Sequence, residues 1–506
     1  MSNPLFDAFH ASAARHGPQR TALETPEASL SFAALFALSA QCANALRAAG
    51  VKPGDRVAVQ AEKSPALVAL ALACFRSGAA LLPLNNAYTL AELEYFLVDA
   101  TPALTLCAPK ALDAVAALTA RLGIGAAHSL GAQGEGTFDA LASRAEGTFA
   151  DVPRAPGDLA AILYTSGTTG RSKGAMLTHE NLLSNALTLV DQWRFTAHDV
   201  LIHTLPIFHT HGLFVATNVA LLAGAKMIFQ SRFDADAVIA ALPRATAFMG
   251  VPTFYVRLLD HPGLTKESCA DIRLFVSGSA PLLADTHRQW RARTGHAILE
   301  RYGMTETNMI TSNPYDGERR PGTVGFALPG VAVRVADPET GAQLDQGEIG
   351  SIEIKGPNVF KGYWNMPEKT AAEFRADGFF ISGDLGRFDS DGYLAIVGRS
   401  KDLVISGGFN VYPKEVEGEI DAIDGVVESA VVGLPHRDFG EGVTAFVTLR
   451  PGASLDEAAM LKTLAGRLAK FKRPKRIIAL EALPRNAMGK VQKAALRAAY
   501  AGLYGG

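Results

Sequence analysis

One stretch, residues 163–174, constrains this chain more than any other part of its sequence. It reads Leu-Tyr-Thr-Ser-Gly-Thr-Thr-Gly-Arg-Ser-Lys-Gly, and every position from Thr165 onward is small, glycyl or cationic. Glycines let the backbone turn and bring N–H groups close to an anion, while hydroxyls donate hydrogen bonds and a lysine adds charge. An apolar run at residues 159–164 predicts a strand before it, and Thr178 predicts the cap of a helix after it. The stretch therefore predicts a phosphate-binding loop.

This loop differs from the P-loop of nucleoside triphosphatases. A P-loop requires Gly-x-x-x-x-Gly-Lys followed by Ser or Thr. Here Lys173 follows Ser172 and precedes Gly174, so the spacing fails. A turn without a ligand is the alternative interpretation, and the length of the run disfavours it.

Charge and cysteine content exclude several classes of protein. A formal net charge of −2 over 506 residues gives no electrostatic footprint for nucleic acid or for an anionic membrane surface. The four cysteines, Cys42, Cys74, Cys107 and Cys269, are dispersed, so we expect neither a disulfide framework nor a thiolate zinc site, and we expect a cytoplasmic location. The apolar run at residues 66–75 is too short to span a membrane.

Helical and strand patterns alternate in the first part of the chain. Ser31 predicts the cap of a helix that ends at Gly50, residues 56–60 predict a strand, residues 64–77 a helix and residues 79–83 a strand. Such alternation predicts an α/β fold, with parallel sheets covered by helices. The Ala-rich residues 101–155 give no clear pattern.

Three later segments place small residues directly after a strand pattern, at residues 246–257, 274–281 and 300–306. A helix that begins at Pro252 would carry Arg257 on its first turns, close to the end of the preceding strand. Ligands of α/β folds bind at the carboxyl ends of strands, so the three junctions predict one shared pocket.

Two histidines, His209 and His211, lie among apolar residues between these segments. Their i, i+2 spacing does not favour a zinc site, and no Glu-x-x-His pattern accompanies it. Without further context, the better interpretation is a pair of histidines at the edge of the core.

Five segments in order resemble the signature motifs of the acyl-activating, adenylate-forming enzymes, which include acyl-CoA synthetases, luciferases and peptide-synthetase adenylation domains. They are residues 164–174, 302–306, 381–384, 398–408 and 484–490. Within this superfamily the chain most resembles malonyl-CoA synthetases, through residues 209–212, 251–257, 277–280 and 300–308. The resemblance implies a large N-terminal domain of sheets covered by helices at residues 1–398, a hinge at 399–402, and a small mobile α+β C-terminal lid domain at 403–506.

The resemblance also implies an activity, which is the ATP- and Mg²⁺-dependent ligation of malonate or methylmalonate to coenzyme A through a malonyl-adenylate. It implies catalytic roles for Lys490, Glu306 and His209, and metal binding by Glu306 and Thr165. The resemblance implies that Arg257 with Ser279 holds the second carboxylate of the acid and that Thr210 and Met309 line its C2 side. It implies a further substrate contact for Arg301, although a structural ion pair is an equal alternative for that residue. Contacts with ATP or coenzyme A are implied for Thr165, Ser166, Gly167, Thr168, Thr169, Gly170, Lys173, Ser277, Gly278, Ala280, Glu300, Tyr302, Gly303, Thr305, Asp384, Arg399, Lys401, Gly407 and Gly408.

Other functions are open at this point. A synthetase for another short-chain carboxylate is one. An adenylation domain that loads a carrier protein is a second, although the sequence up to Gly506 lacks a Ser-centred attachment motif. A nucleotide-binding scaffold is a third, and it would be favoured by loss of Lys490 or Glu306, both of which are present. The expected partners are small molecules rather than nucleic acid or membrane, and the expected state is a monomer or weak homo-oligomer.

Overall fold

The computed structural model describes residues 3–165, 172–407, 409–486 and 489–504. The chain divides into two compact units, which are Met1–Ala332 with Ile354–Gly378, and Val333–Glu353 with Phe379–Gly506. Six residues predicted to bind ATP or coenzyme A lie outside the described residues, namely Ser166, Gly167, Thr168, Thr169, Gly170 and Gly408. The hinge at residues 399–402 stays a prediction.

Helices and strands alternate through much of the chain. The α-helices are α1 (Pro4–His16), α2 (Phe32–Ala48), α3 (Pro65–Ser77), α4 (Leu90–Ala100), α5 (Leu112–Leu122), α6 (Thr137–Ala142), α7 (His179–Gln192), α8 (Asn218–Ala223), α9 (Ala235–Ala241), α10 (Pro252–Leu259), α11 (Ala284–Thr294), α12 (Pro367–Ala372), α13 (Pro413–Asp421), α14 (Glu457–Ala465) and α15 (Lys493–Ala499). A π-helix, His211–Thr217, precedes α8.

The strands are β1 (Thr21–Glu24), β2 (Ser29–Ser31), β3 (Arg56–Gln60), β4 (Ala80–Pro83), β5 (Leu104–Cys107), β6 (Ala126–Ser129), β7 (Leu159–Thr165), β8 (Lys173–Thr178), β9 (Val200–His203), β10 (Lys226–Phe229), β11 (Ala247–Gly250), β12 (Leu274–Ser277), β13 (Leu299–Met304), β14 (Asn308–Ser312), β15 (Phe326–Ala327), β16 (Ala332–Ala336), β17 (Gly350–Lys355), β18 (Phe380–Phe388), β19 (Leu394–Arg399), β20 (Val404–Ser406), β21 (Phe409–Val411), β22 (Val426–His436), β23 (Gly440–Leu449) and β24 (Arg476–Ala479).

The first unit contains two sheets. One has the strand order β15-β14-β13-β12-β11-β9-β10-β1-β2, and the other has the order β6-β5-β3-β4-β7-β8. Strands β9, β11, β12 and β13 run parallel as neighbours, so their carboxyl ends lie along one edge. This arrangement confirms the predicted α/β class.

Local sequence signals explain where several of these helices begin. The hydroxyl of Ser31 accepts a hydrogen bond from the N–H of Ala34 at the start of α2, and Thr178 accepts one from Asn181 at the start of α7. Both caps satisfy backbone donors that have no partner inside the helix. The predicted caps are therefore confirmed.

A layer of aromatic side chains covers one face of the larger sheet. Phe275 of β12 is fully buried and packs edge-on against Tyr255 of α10 and Trp290 of α11. The Tyr255 hydroxyl donates to the carbonyl of Val276 at 2.7 Å. These contacts hold α10 against the end of β12, where the predicted pocket lies.

The second unit is smaller and has an α+β arrangement, as predicted. Its strands follow the orders β16-β17-β18-β19 and β21-β20-β23-β22, with β24 paired to β23. Val416 and Ile420 of α13 are buried in its core together with Val431, Val447 and Ile477 of the sheet. None of the described helices combines the length and apolar character that a membrane span requires.

Candidate functional site

Three of the predicted junctions meet at one edge of the larger sheet. The last residue of β11, Gly250, pairs with Ser277 at the end of β12, and Ser277 pairs with Glu300 in β13. The small residues 277–280 follow β12 directly, and α10 begins two residues after β11. The three segments therefore lie side by side, as the sequence predicted.

A buried guanidinium lies at this edge. Arg301 is 4% exposed, and its Nε and Nη2 have no hydrogen-bond partner among the described residues. Its guanidinium occupies the space beside Gly278, where a Cβ would lie 2.4 Å from Cζ of Arg301. Burial lowers the pKa of Arg301 to about 9. Among the described residues these two nitrogens form no ion pair, and a role for Arg301 in binding the substrate stays a prediction.

Two further polar side chains face the same region. Ser279 has a left-handed backbone with φ of 71°, and its Oγ lies 3.2 Å from Nδ1 of His211. Burial, together with the charge of Arg301, holds the pKa of His211 well below its usual range, so its imidazole is neutral. Nε2 of His211 and Oγ of Ser277 have no partner among the described residues. A buried cation and unpaired polar atoms are suited to an anionic ligand.

The sequence predicts His209 and His211 as a pair at the edge of the core, and it does not predict the contact of His211 with Ser279. It is the first residue of the π-helix His211–Thr217, a backbone form often found at functional sites. Its position two residues after His209 was the available signal. His209 itself is half-buried, and its carbonyl accepts a hydrogen bond from the N–H of Leu213.

The other predicted substrate residues differ in their surroundings. Thr210 and Met309 are each 2% exposed, and a Cβ at Gly303 would lie 2.6 Å from Cε of Met309. Arg257, by contrast, lies in the last turn of the eight-residue helix α10, and its side chain is exposed. The structure thus brings Arg301 and Ser279 together but leaves Arg257 at the surface of this unit.

The ends of the predicted phosphate loop are fixed by an antiparallel pair of strands. Thr165 of β7 pairs with Lys173 of β8, and the Thr165 hydroxyl lies 3.5 Å from the Lys173 carbonyl oxygen. Nζ of Lys173 lies 3.1 Å from Oε1 of Glu373 and 4.0 Å from the ring centre of Tyr363. The six residues between the strands, 166–171, lie outside the described residues.

Glu306 is connected to this cation through Tyr363. The Tyr363 hydroxyl lies 3.0 Å from Oε1 of Glu306 and 2.6 Å from Oε2 of Glu373. Glu306 is 5% exposed, and burial raises its pKa. Sequence reasoning missed Tyr363 and Glu373, since neither lies in a motif that was given a role.

The residues that could hold a divalent cation are few. Within the described ranges, no three His, Cys, Asp or Glu side chains are grouped so as to hold a metal ion. Mg²⁺ keeps several waters and is usually bound by one or two carboxylates together with substrate phosphates. A single buried carboxylate, Glu306, near the loop lysine fits that pattern, and Thr165 at the loop's edge adds a hydroxyl.

The remaining predicted nucleotide residues of this unit follow β12 and β13. Glu300 and Tyr302 are buried, and Nδ1 of His287 lies 3.5 Å from Oε1 of Glu300. Ala280, Gly303 and Thr305 are half-buried beside them in sequence. A Cβ at Gly303 would also lie 2.1 Å from the Asn308 carbonyl oxygen, so this position requires glycine.

In the second unit, two of the predicted nucleotide residues are partners. Asp384 of β18 lies opposite Arg399 of β19, and their ion pair measures 2.8 Å between Nε and Oδ1. Asp384 is 4% exposed, whereas the Arg399 side chain is 38% exposed. Lys401 is exposed in the short turn after β19, and Gly407 has a left-handed φ of 59°.

Lys490 lies on an exposed turn of the same unit. Its N–H donates to Oδ1 of Asn486 at 3.0 Å, and its carbonyl accepts from the Asn486 N–H at 2.9 Å. Arg485, paired with Glu428, and Lys493, 2.5 Å from Glu417, attach the two sides of the turn to the sheet and α13. These ion pairs hold the chain in place on both sides of Lys490.

Comparison with known proteins places these features in a family. Residues 9–364 match the model described as AMP-binding enzyme, and residues 415–490 match that of the AMP-binding enzyme C-terminal domain. The crystal structure of ATP-bound MatB from Rhodopseudomonas palustris is 60% identical, covers 100% of both chains and has a TM-score of 0.97.

Curated relatives extend the likeness over most of the chain. Feruloyl-CoA synthase from an Amycolatopsis species is 36% identical over 98% of this chain and 99% of the relative. Malonate–CoA ligase from Arabidopsis thaliana is 36% identical over 88% of this chain and 78% of the relative. The chain belongs to the AMP-binding enzyme family.

Proposed function

We propose that this chain is an AMP-forming malonate–CoA ligase that also accepts methylmalonate. The observation that supports a dicarboxylic acid as the substrate is the buried Arg301, whose Nε and Nη2 have no partner within the described part of the chain. The likeness to MatB at 60% identity supports it. The sequence identities to the curated relatives do not indicate which acid is the substrate, because the feruloyl-CoA synthase and the malonate–CoA ligase are both 36% identical to this chain.

The acid site is suited to a ligand with two carboxylates. One carboxylate must stay free to react with ATP, so a buried guanidinium implies a second, unreactive carboxylate that it holds. We assign this second carboxylate to Ser279 together with Arg301, which is buried beside Gly278, and we keep Arg257 as a proposed contact although its side chain is exposed on α10 in this structure. Thr210 and Met309, both buried, would then limit bulk at C2 of the acid.

The first half-reaction joins the acid to the α-phosphate. A carboxylate oxygen attacks the α-phosphorus, an acyl–phosphate bond forms, the bond to the β-phosphate oxygen breaks, and pyrophosphate leaves. An anion must approach a polyanion, so catalysis requires cations and orientation. We assign the α-phosphate and the attacking carboxylate to Lys490, and the β- and γ-phosphates to residues 165–173, which include Lys173.

Other residues orient the nucleotide. We assign the ribose hydroxyls to Asp384, with Arg399 as a further donor, and the adenine to Tyr302 and the backbone after β12. Glu306 and Thr165 would hold Mg²⁺, which neutralises charge on the phosphates when bound. Glu306 is buried with a single neighbouring hydroxyl donor, so a cation would compensate its charge.

The second half-reaction transfers the acyl group to coenzyme A. The thiolate attacks the acyl carbon, the thioester bond forms, and AMP leaves. We propose that residues 1–398 and 403–506 act as two domains that rearrange about a hinge at 399–402, with Lys401 within it. Gly407 and Gly408 have no side chains to obstruct the pantetheine arm of coenzyme A. We assign a catalytic role to His209, at the acyl group of the adenylate.

We also propose a cytoplasmic enzyme that is a monomer or weak homo-oligomer. The location is supported by the four cysteines, all within the described ranges, which are buried free thiols. A reducing compartment keeps such thiols unpaired.

One assay tests the activity. The purified protein is incubated with ATP, Mg²⁺, malonate and free coenzyme A, and pyrophosphate and thioester are measured together. The proposal predicts both products in equal amounts. Pyrophosphate without thioester on free coenzyme A would indicate a carrier-loading domain instead, and the absence of both would indicate a nucleotide-binding scaffold.

A further inference from the structure

Lys173, the lysine of the phosphate loop, already has an anionic partner within its own unit. Its Nζ lies 3.1 Å from Oε1 of Glu373, and the two side chains are 20% and 19% exposed. The same ammonium lies 4.0 Å from the ring centre of Tyr363. The cation is therefore held from two sides at the end of β8, where it meets the loop.

Glu373 is an ionised carboxylate in this arrangement. Burial raises its pKa, but hydrogen bonds from Lys369, Tyr363 and Lys173 outweigh burial and lower it. Lys369 contacts the same oxygen as Lys173, at 2.8 Å, from one turn earlier in the chain. Glu373 thus presents to Lys173 what a phosphate would present, which is negative charge on an oxygen at hydrogen-bond distance.

The hydroxyl of Tyr363 is a further hydrogen-bond donor that can compensate the negative charge of Glu373. This hydroxyl lies within hydrogen-bond distance of both Glu306 and Glu373, at 3.0 and 2.6 Å, but it has one proton. A Tyr363 hydroxyl that donates this proton to Glu373 gives the carboxylate a donor besides the two lysines. Glu373 then remains hydrogen-bonded after Lys173 has left it, so the exchange leaves no bare carboxylate.

We propose that Glu373 is a positioning residue that acts as an internal counter-ion for Lys173. In the nucleotide-free enzyme it holds Lys173 at the loop, and the β- and γ-phosphates of ATP displace it. As pyrophosphate leaves, Glu373 pairs with Lys173 again and so favours release. This inference rests on the proposed function, since it requires the phosphates to bind at residues 165–173.

A double-mutant cycle tests it by calorimetric titration of pyrophosphate, and of ATP with Mg²⁺. The four proteins are the wild type, Glu373→Gln, Lys173→Met and the combined variant, and Glu368→Gln is the matched control because Glu368 is exposed on α12, the helix that ends just before Glu373. A competing charge-assisted hydrogen bond contributes about a factor of ten to binding. We expect E373Q to bind pyrophosphate about tenfold more tightly, with no such gain when Lys173 is absent.

Kinetics give a second readout that a structural role would not move in this way. E373Q should lower KM for ATP and also lower kcat, because pyrophosphate leaves more slowly. E368Q should match the wild type in both constants. The thermal midpoint of each variant is measured alongside.

The results separate this inference from the function on which it rests. An equal gain in pyrophosphate affinity from Glu373→Gln in the Lys173→Met background, or the same gain in E368Q, would overturn the inference. Either result would show that removing any negative charge nearby strengthens binding, without a specific pairing of Glu373 with Lys173. Unchanged affinity in E373Q, with or without a lower thermal midpoint, would overturn it as well. Failure of the wild type itself to bind ATP would refute the proposed function.

Discussion

Replacing Arg301 with methionine should remove the preference for a dicarboxylate. Its Nε and Nη2 have no hydrogen-bond partner among the described residues, and the proposed function assigns them to the acid. A hydrogen bond to a charged group contributes about 1.5–3 kcal/mol, so two of them amount to about 3–6 kcal/mol. At about 1.4 kcal/mol per factor of ten, kcat/KM for malonate should fall roughly 10²- to 10⁴-fold.

The same substitution should not destabilise the fold. An unpaired buried charge is costly, and an apolar side chain of similar length removes that cost. We therefore expect the thermal midpoint of R301M to equal or exceed that of the wild type. Arg301→Lys keeps the charge but loses the planar fork of donors, so its activity should lie between the two.

The assay measures kcat/KM for malonate and for butyrate, and the affinity for ATP, in each variant. Arg291→Met is the matched control, because Arg291 is exposed on α11. Malonate activity in R301M within about threefold of the wild type would refute the assignment, since even one charge-assisted hydrogen bond accounts for more than that. An equal loss for malonate and butyrate would refute it too.

Two further substitutions test other parts of the account. Lys490→Ala should abolish pyrophosphate release but leave thioester formation from supplied malonyl-adenylate largely intact, and near-wild-type pyrophosphate release would contradict the role of Lys490. Asp421→Asn tests the second unit, because burial raises the pKa of Asp421 to about 6. The folded state thus binds more protons than the unfolded state between about pH 4 and pH 6, so this carboxyl lowers stability as pH rises through that window, by about 3 kcal/mol in full. D421N should gain thermal stability relative to the wild type from pH 4 to pH 7.5, and parallel pH profiles would show that Asp421 titrates normally.

Local signals in the sequence predicted many of the elements. Strand β3 has the bounds expected for it, and α2 and α7 begin after Ser31 and Thr178, the capping residues that the sequence indicated. Capping and apolar periodicity act over a few residues, so they can be read without knowledge of the fold. The topology at the edge of the larger sheet also followed, because parallel neighbours share their carboxyl ends.

Elements without strong local contrast were not predicted. Residues 101–155 contain β5, α5 and β6, among other elements. The strands β5 and β6 run parallel to β3 in the same sheet. β5 is only four residues long and buried on both faces, so it shows no alternation, and the surrounding alanines blur the faces of the helices.

Long-range contacts account for what was missed at the site. Lys173 and Glu373 are 200 residues apart in the chain, so no local pattern connects them. Tyr363 and Glu306 likewise meet only in the folded unit. For Arg301 and Arg257 the residue types can be read from the sequence but their burial cannot, and in the structure the Arg301 guanidinium is buried whereas the Arg257 side chain is exposed on a helix.

The most direct test of the central claim is the ratio of kcat/KM for malonate to that for butyrate in the wild-type enzyme, with ATP, Mg²⁺ and coenzyme A saturating. A site built to pair a charge rejects an analogue without it by about 10⁴ or more, because buried polar groups are left unpaired. We expect a ratio of at least that order for a site that holds two carboxylates. A ratio near one would contradict it and identify a general short-chain acyl-CoA synthetase instead.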